Sequence, residues 1–151
     1  MKKAEKTILL VEDNRMDEVL TLRALKNNNL IDQIVVARDG VEALDYLFAT
    51  GRYAGRSGGL PDLVLLDLKL PKLDGIEVLR RLRAENATRL LPVVMLTSSR
   101  EDGDLMDSYG SGCNSYVRKP VDFNEFAEAV KQLGIYWLML NEHPPLVALP
   151  E

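Results

Sequence analysis

The sequence predicts a doubly wound α/β domain, five parallel strands with helices on both faces, and two patterns predict it. The first is a set of short runs that are apolar at every position, above all Leu63-Val64-Leu65-Leu66. A strand without polar alternation is buried on both faces, as in a parallel sheet. The second is that such runs alternate five times with stretches whose apolar residues recur every three or four positions. Strand–helix alternation of this kind builds a parallel sheet covered on both sides. With 151 residues, 46% of them hydrophobic and 28% charged, one domain with an ordinary core is expected.

Thr7-Ile8-Leu9-Leu10-Val11 is the first strand and runs directly into Glu12-Asp13. A helix follows from about Asn14, with Met16, Val19, Leu20 and Ala24 as its inward stripe and Asn27-Asn28-Asn29 as its end. Gln33 to Ala37 is the second strand. Asp39-Gly40 opens a helix striped by Ala43, Leu44, Leu47 and Phe48. Thr50 to Gly59 holds four glycines and two arginines, so it is a loop. Arg52 and Arg56 are read there either as an anion contact or as part of a solvated insertion. The central strand ends on Asp67; Pro71 and Asp74-Gly75 turn the chain, and Val78, Leu79 and Leu82 line the next helix. Pro92 to Leu96 is the fourth strand and leads to Thr97-Ser98-Ser99. Ser99 with Asp102 predicts the start of a helix weakened by Gly103, Gly110 and Gly112. Asn114 to Arg118 is the last strand, followed by Lys119-Pro120. Asp122 and Glu125 form a capping box for the final helix, striped by Phe123, Phe126, Val130 and Leu133.

Composition removes several classes of function. A net charge of -4 and a pI near 5.1 argue against sequence-independent nucleic-acid binding, which needs a basic footprint. Cys113 is the one cysteine, so no internal disulfide is available and a reducing cytoplasm is expected. The N-terminus is neither a signal peptide nor a membrane span.

The chemistry lies at the strand ends. Glu12, Asp13, Asp67, Thr97 and Lys119 all follow or close a strand, and in a doubly wound sheet those carboxyl ends share one edge. Three converging carboxylates repel one another unless a cation neutralises them. Hard oxygen ligands with a phosphate partner suit Mg²⁺. A carboxylate can accept a phosphoryl group, an ammonium can stabilise the transferring charge, and a nearby hydroxyl can sense the new oxygens.

Leu10-Val11-Glu12-Asp13, Asp67 with Pro71 and Asp74-Gly75, Leu96-Thr97-Ser98, and Tyr116-Val117-Arg118-Lys119-Pro120 occur here in order. In these pieces and their spacing the chain resembles receiver domains of two-component response regulators, of the chemotaxis-regulator type, over about residues 6 to 138. The resemblance implies a flavodoxin-like fold with strand order 2-1-3-4-5. It implies Asp67 as phosphoacceptor, and Mg²⁺ held by Glu12, Asp13, Asp67 and the backbone carbonyl of Lys69. It further implies Thr97 and Lys119 as ligands of the phosphoryl oxygens, Tyr116 as an aromatic switch, and a cis bond between Lys119 and Pro120. The phosphoryl donor would be a sensor histidine kinase. Such a protein is a signalling phosphoacceptor that assists its own phosphorylation and dephosphorylation, not an enzyme acting on a separate substrate.

Rival readings fit less well. An Asp-nucleophile phosphatase of the haloacid-dehalogenase kind needs an acid two residues after the nucleophile, where this chain has Lys69. A nucleotide-binding module would carry a glycine-rich phosphate motif, and none is present. A receiver filling 1–140 leaves no room for a DNA-binding domain, so the expectation is a stand-alone regulator with a C-terminal extension over 141–151. Tyr136-Trp137-Leu138-Met139-Leu140-Asn141-Glu142 resembles stand-alone regulators that pair with phytochrome-type kinases. Its run from Ile135 is apolar on all sides, which predicts a homodimer through the final helix and tail, burying Tyr136, Trp137 and Met139. The alternative is a tail that folds back with Leu146, Val147 and Leu149 over the same run.

Overall fold

In the computed structural model, residues 5–26 and 31–144 are described. Five strands form one parallel sheet: β1 (Thr7–Val11), β2 (Gln33–Ala37), β3 (Leu63–Leu66), β4 (Val93–Thr97) and β5 (Ser115–Arg118). Their order is β2-β1-β3-β4-β5, the doubly wound order expected. Five helices alternate with them: α1 (Arg15–Lys26), α2 (Gly40–Phe48), α3 (Gly75–Ala84), α4 (Asp102–Gly110) and α5 (Phe123–Ile135).

The apolar strands split their side chains between two cores because successive residues point to opposite faces. Leu9, Val11, Val64, Leu66, Val93 and Met95 pack with α2 and α3. Ile8, Leu10, Leu63, Leu65, Val94 and Leu96 pack with α1, α5 and the turn beyond α5. The central strand is wholly enclosed, with Leu63, Val64, Leu65 and Leu66 each 0% exposed.

Two helices sit differently from their apolar stripes. In α1 the buried residues are Glu18, Thr21, Ala24 and Leu25, while Met16 is exposed. Glu18 takes an inward position because Arg38 grips it with a fork of two hydrogen bonds, 3.0 and 2.9 Å, and Arg15 adds a third at 2.9 Å. A count of apolar residues misses a carboxylate that has been paired. In α5 Phe126 and Val130 are buried, but Phe123, the first residue of the helix, is half exposed. The Asn27–Asn29 stop lies outside the described residues.

Local signals hold elsewhere. Asp39, Asp74 and Asp122 cap α2, α3 and α5, each accepting from the backbone N–H three residues on. Helix α4 departs from expectation: it starts at Asp102 after Glu101, and the Ser99 hydroxyl donates instead to Asp104 Oδ2 at 2.6 Å. Only Ser108 of α4 is buried. The loop arginines are spent on the loop. Arg56 lies 4.0 Å over the Tyr46 ring and donates to the Tyr46 and Gly59 carbonyls, and Arg52 pairs with Glu42 at 3.6 Å.

The segment after α5 corrects the symmetric picture of an apolar run. Tyr136–Leu140 forms one π-helical turn, closed by Asn141 N donating to Tyr136 O at 2.7 Å. Trp137 and Leu138 are both buried in the core shared by α1 and α5. Trp137 is therefore covered by its own domain and is no dimer surface; Tyr136, Met139 and Leu140 remain exposed. Residues 145–151, including Leu146, Val147 and Leu149 of the fold-back alternative, lie outside the described residues.

Candidate functional site

Strand register gathers the site. Val11 is level with Leu66, Leu66 with Met95, and Thr97 with Arg118. The residues just past these ends are tied in by three further backbone bonds: Glu12 N to Ala37 O at 2.9 Å, Asp67 N to Val11 O at 3.0 Å, and Lys119 N to Thr97 O at 2.7 Å. Positions more than a hundred residues apart thus share one sheet edge. A glycine makes room there. Gly75 N donates to Leu68 O at 2.8 Å, and a Cβ on Gly75 would collide with the Asp67 carbonyl oxygen and meet Leu68 Cα at 3.0 Å. Both neighbours are backbone and cannot yield cheaply. Gly75→Ala is expected to cost about 1–3 kcal/mol, the usual range for overpacking, as a lowered denaturant midpoint at unchanged slope. An unchanged midpoint would show that the Asp67 backbone is free to move.

Lys119 is the hub of the site. Its ammonium donates to Glu12 Oε1 at 2.6 Å, Asp17 Oδ2 at 2.8 Å and Asp67 Oδ2 at 3.2 Å. Glu12, Asp67, Thr97 and Lys119 are all buried, whereas Asp13 is exposed. The other Asp67 oxygen accepts from Leu68 N at 2.7 Å. Thr97 Oγ1 accepts from Ser99 N at 3.2 Å. Asp67, Thr97, Lys119, Asp13 and Lys69 line one open cavity of about 630 Å³.

The electrostatics follow from crowding. Burial, then the facing charge of Asp67, push the Glu12 carboxyl up from 4.5 to about 7, although Lys119 pulls it down. Burial opposes the charge on Lys119, but Asp67, Asp17 and Glu12 outweigh it and hold the ammonium charged well above the ordinary lysine range. Carboxylate oxygens of Glu12, Asp13 and Asp67 lie within 4.8 Å of one another. An all-oxygen donor set of net negative charge fits a hard divalent cation.

Every expected strand-end residue reaches this edge. One expectation fails: no peptide bond among the described residues is cis, so Lys119-Pro120 is trans, the form ordinarily favoured before proline by about 0.5–1 kcal/mol. Asp17 joins them through Lys119 and ends no strand. Its sequence signal is weak: it stands four residues after Asp13, on the first turn of α1.

The sequence model of the response regulator receiver domain matches residues 8–131. The chain belongs to the response regulator receiver domain family. It is 42% identical over 137 residues to a probable methanogenesis regulatory protein, FilR2, of Methanothrix harundinacea, covering 91% of this chain and 86% of that one. It is 35% identical over 133 residues to the response regulator Rcp1 of Synechocystis sp., covering 88% and 89%. Among solved structures, the phosphorylated cyanobacterial phytochrome response regulator RcpA superposes with a TM-score of 0.88 at 39% identity, covering 94% of this chain and 100% of RcpA. The Mn²⁺-bound form of Rcp1 gives 0.85 at 35%, covering 93% and 99%. Receiver domains are signalling modules that are phosphorylated and bind a divalent metal. This receiver has the acidic cluster for one in Glu12, Asp13 and Asp67.

Proposed function

We propose that this receiver takes a phosphoryl group onto Asp67 from a histidine of a sensor kinase, with Mg²⁺ held by Glu12, Asp13, Asp67 and the Lys69 carbonyl. The observation that carries this is the Lys119 ammonium 3.2 Å from Asp67 Oδ2, in a cavity that also holds Asp13 and Thr97. One Asp67 oxygen bonds to phosphorus as the phosphorus–nitrogen bond of the donor breaks, and the freed electron pair stays on the imidazole nitrogen. When bound, the cation neutralises charge on the phosphoryl oxygens and on the three carboxylates. The same groups assist loss of the phosphoryl group to water. The test is incubation with acetyl phosphate and Mg²⁺, with the modified residue located by mass spectrometry. A label on any residue other than Asp67 would overturn the assignment.

The new group carries about -1.5 to -2 charges near pH 7. Thr97 and Lys119 turn towards it, and Tyr116 follows into the space that Thr97 leaves. Two features support this switch. The Tyr116 hydroxyl is buried without a hydrogen-bond partner among the described residues, a costly placement that movement relieves. Helix α4 beside it is held by little burial, as a low-stability moving element should be.

The donor is a phytochrome-type sensor kinase, a reading supported by the likeness to RcpA and Rcp1. The setting is the cytoplasm; no described helix is long and apolar enough to cross a membrane. The protein forms a homodimer through Tyr136, Met139 and Leu140, which are 48%, 62% and 68% exposed on one turn. Met139→Glu is expected to shift sedimentation from dimer to monomer at tens of micromolar while leaving the circular dichroism of the folded chain unchanged, and to remove the concentration dependence of the melting temperature. A wild-type chain that sediments as a monomer at that concentration removes the dimer.

A further inference from the structure

Lys119 has three N–H bonds, and all three are committed: to Glu12, Asp17 and Asp67. Glu12 and Asp67 belong to the strand ends. Asp17 comes from a different element, the first turn of α1, which Asn14 pins by accepting from the Asp17 backbone N–H at 3.0 Å. The Asp17 carboxylate bonds Lys119 at 2.8 Å, closer than Asp67 does, and it lies at the wall of the same cavity with about a quarter of its side chain exposed. A phosphoryl oxygen arriving on Asp67 must win an N–H of Lys119 from one of these acceptors. Glu12 is buried and short-bonded at 2.6 Å, and Asp67 is the acceptor being modified. Asp17 is the partner that can let go, because water can replace Lys119 on its exposed side.

We propose that Asp17 is a positioning residue that restrains Lys119 in the unphosphorylated protein and opposes its transfer to the phosphoryl group. The proposal rests on the reading of Asp67 as phosphoacceptor. Asp17 then sets how readily the phosphorylated form is populated, and any partner that draws the Asp17 carboxylate away from Lys119 favours phosphorylation.

The test compares the full chain with Asp17→Asn, Asp17→Glu, Lys119→Gln and the double variant Asp17→Asn/Lys119→Gln. Two readouts are taken: the steady-state phosphorylated fraction with acetyl phosphate and Mg²⁺, and the affinity for beryllofluoride, a phosphoryl mimic, followed by thermal shift. Asp17→Asn is expected to tighten beryllofluoride binding about fivefold and to raise the ratio of phosphorylated to free protein by a similar factor. Fivefold corresponds to the roughly 1 kcal/mol upper range of a partly exposed ion pair. Asp17→Glu, which keeps the charge, returns both values towards wild type. With Lys119→Gln in place, Asp17→Asn changes neither, because the residue it acts through is gone. An Asp17→Asn effect of the same size in the Lys119→Gln background overturns the proposal, and so does no effect or weaker binding in the wild-type background. Phosphorylation that does not fall on Asp67 is a separate result and defeats the underlying reading instead.

Discussion

Asp67→Asn is expected to abolish stable phosphorylation while leaving the protein folded and, above neutral pH, more stable. The loss follows from chemistry: an amide oxygen is a poor nucleophile and gives no acyl phosphate. The gain follows from charge. Asp67 is one cause of the upward shift of Glu12, from 4.5 to about 7. A carboxyl raised in the folded state binds more protons folded than unfolded between those values. Stability from this group is therefore complete below pH 4.5 and lost as pH rises through about 7. Removing the Asp67 charge removes part of the shift, so the fall with pH becomes shallower. Denaturant unfolding of both proteins between pH 5 and pH 8, with a phosphorylation assay alongside, measures both effects. A variant that still carries phosphate in full amount sinks the assignment, and one whose stability falls with pH as steeply as wild type sinks the electrostatic account.

Lys119→Met is expected to be the most destabilising single change at the site. Lys119 is 6% exposed and supplies the only cation hydrogen-bonded to Glu12, Asp17 and Asp67 among the described residues. Removing one partner of a buried charge cluster typically costs about 3–5 kcal/mol, because the remaining charges stay desolvated and unpaired. The lower end applies here, since Asp17 reaches solvent and Glu12 can take a proton. Mg²⁺ should narrow the gap. An ammonium and a metal ion neutralise the same carboxylates, so each weakens binding of the other, and the variant is expected to hold the metal more tightly. Thermal melts of both proteins across millimolar Mg²⁺ test this. The electrostatic role of Lys119 is refuted if the variant melts with wild type in the absence of metal, or if the gap does not shrink as Mg²⁺ is added.

The layout of the fold was legible in the sequence because its signals are local. Runs such as Leu63–Leu66 must be buried wherever the chain goes, and an acid ending such a run must emerge at the strand's end. Aspartates at positions 39, 74 and 122 announce helix starts through bonds only three residues long. Glu12, Asp13, Asp67, Thr97 and Lys119 are legible as a cluster because each ends a strand, whereas the strand order and the role of each residue follow only from the motif resemblance; the register of the sheet delivers the five to one edge.

What only the tertiary structure decided depends on pairs far apart in the chain. Glu18 turns inward because Arg38, twenty residues on, neutralises it. Trp137 reads as part of a uniformly apolar run, yet a widened helical turn swings it onto its own core and leaves Tyr136 and Met139 outside. Asp17 reads as an ordinary first-turn acid of a helix, and it is a partner of Lys119 only because α1 and the end of β5 meet at the same sheet edge. The sequence by itself determined which segments are strands and helices and which acids cap or end them, since burial and capping are decided within a few residues. The partners of each charge were decided by the fold, since the energy of a charge depends on what else is brought within a few ångströms of it.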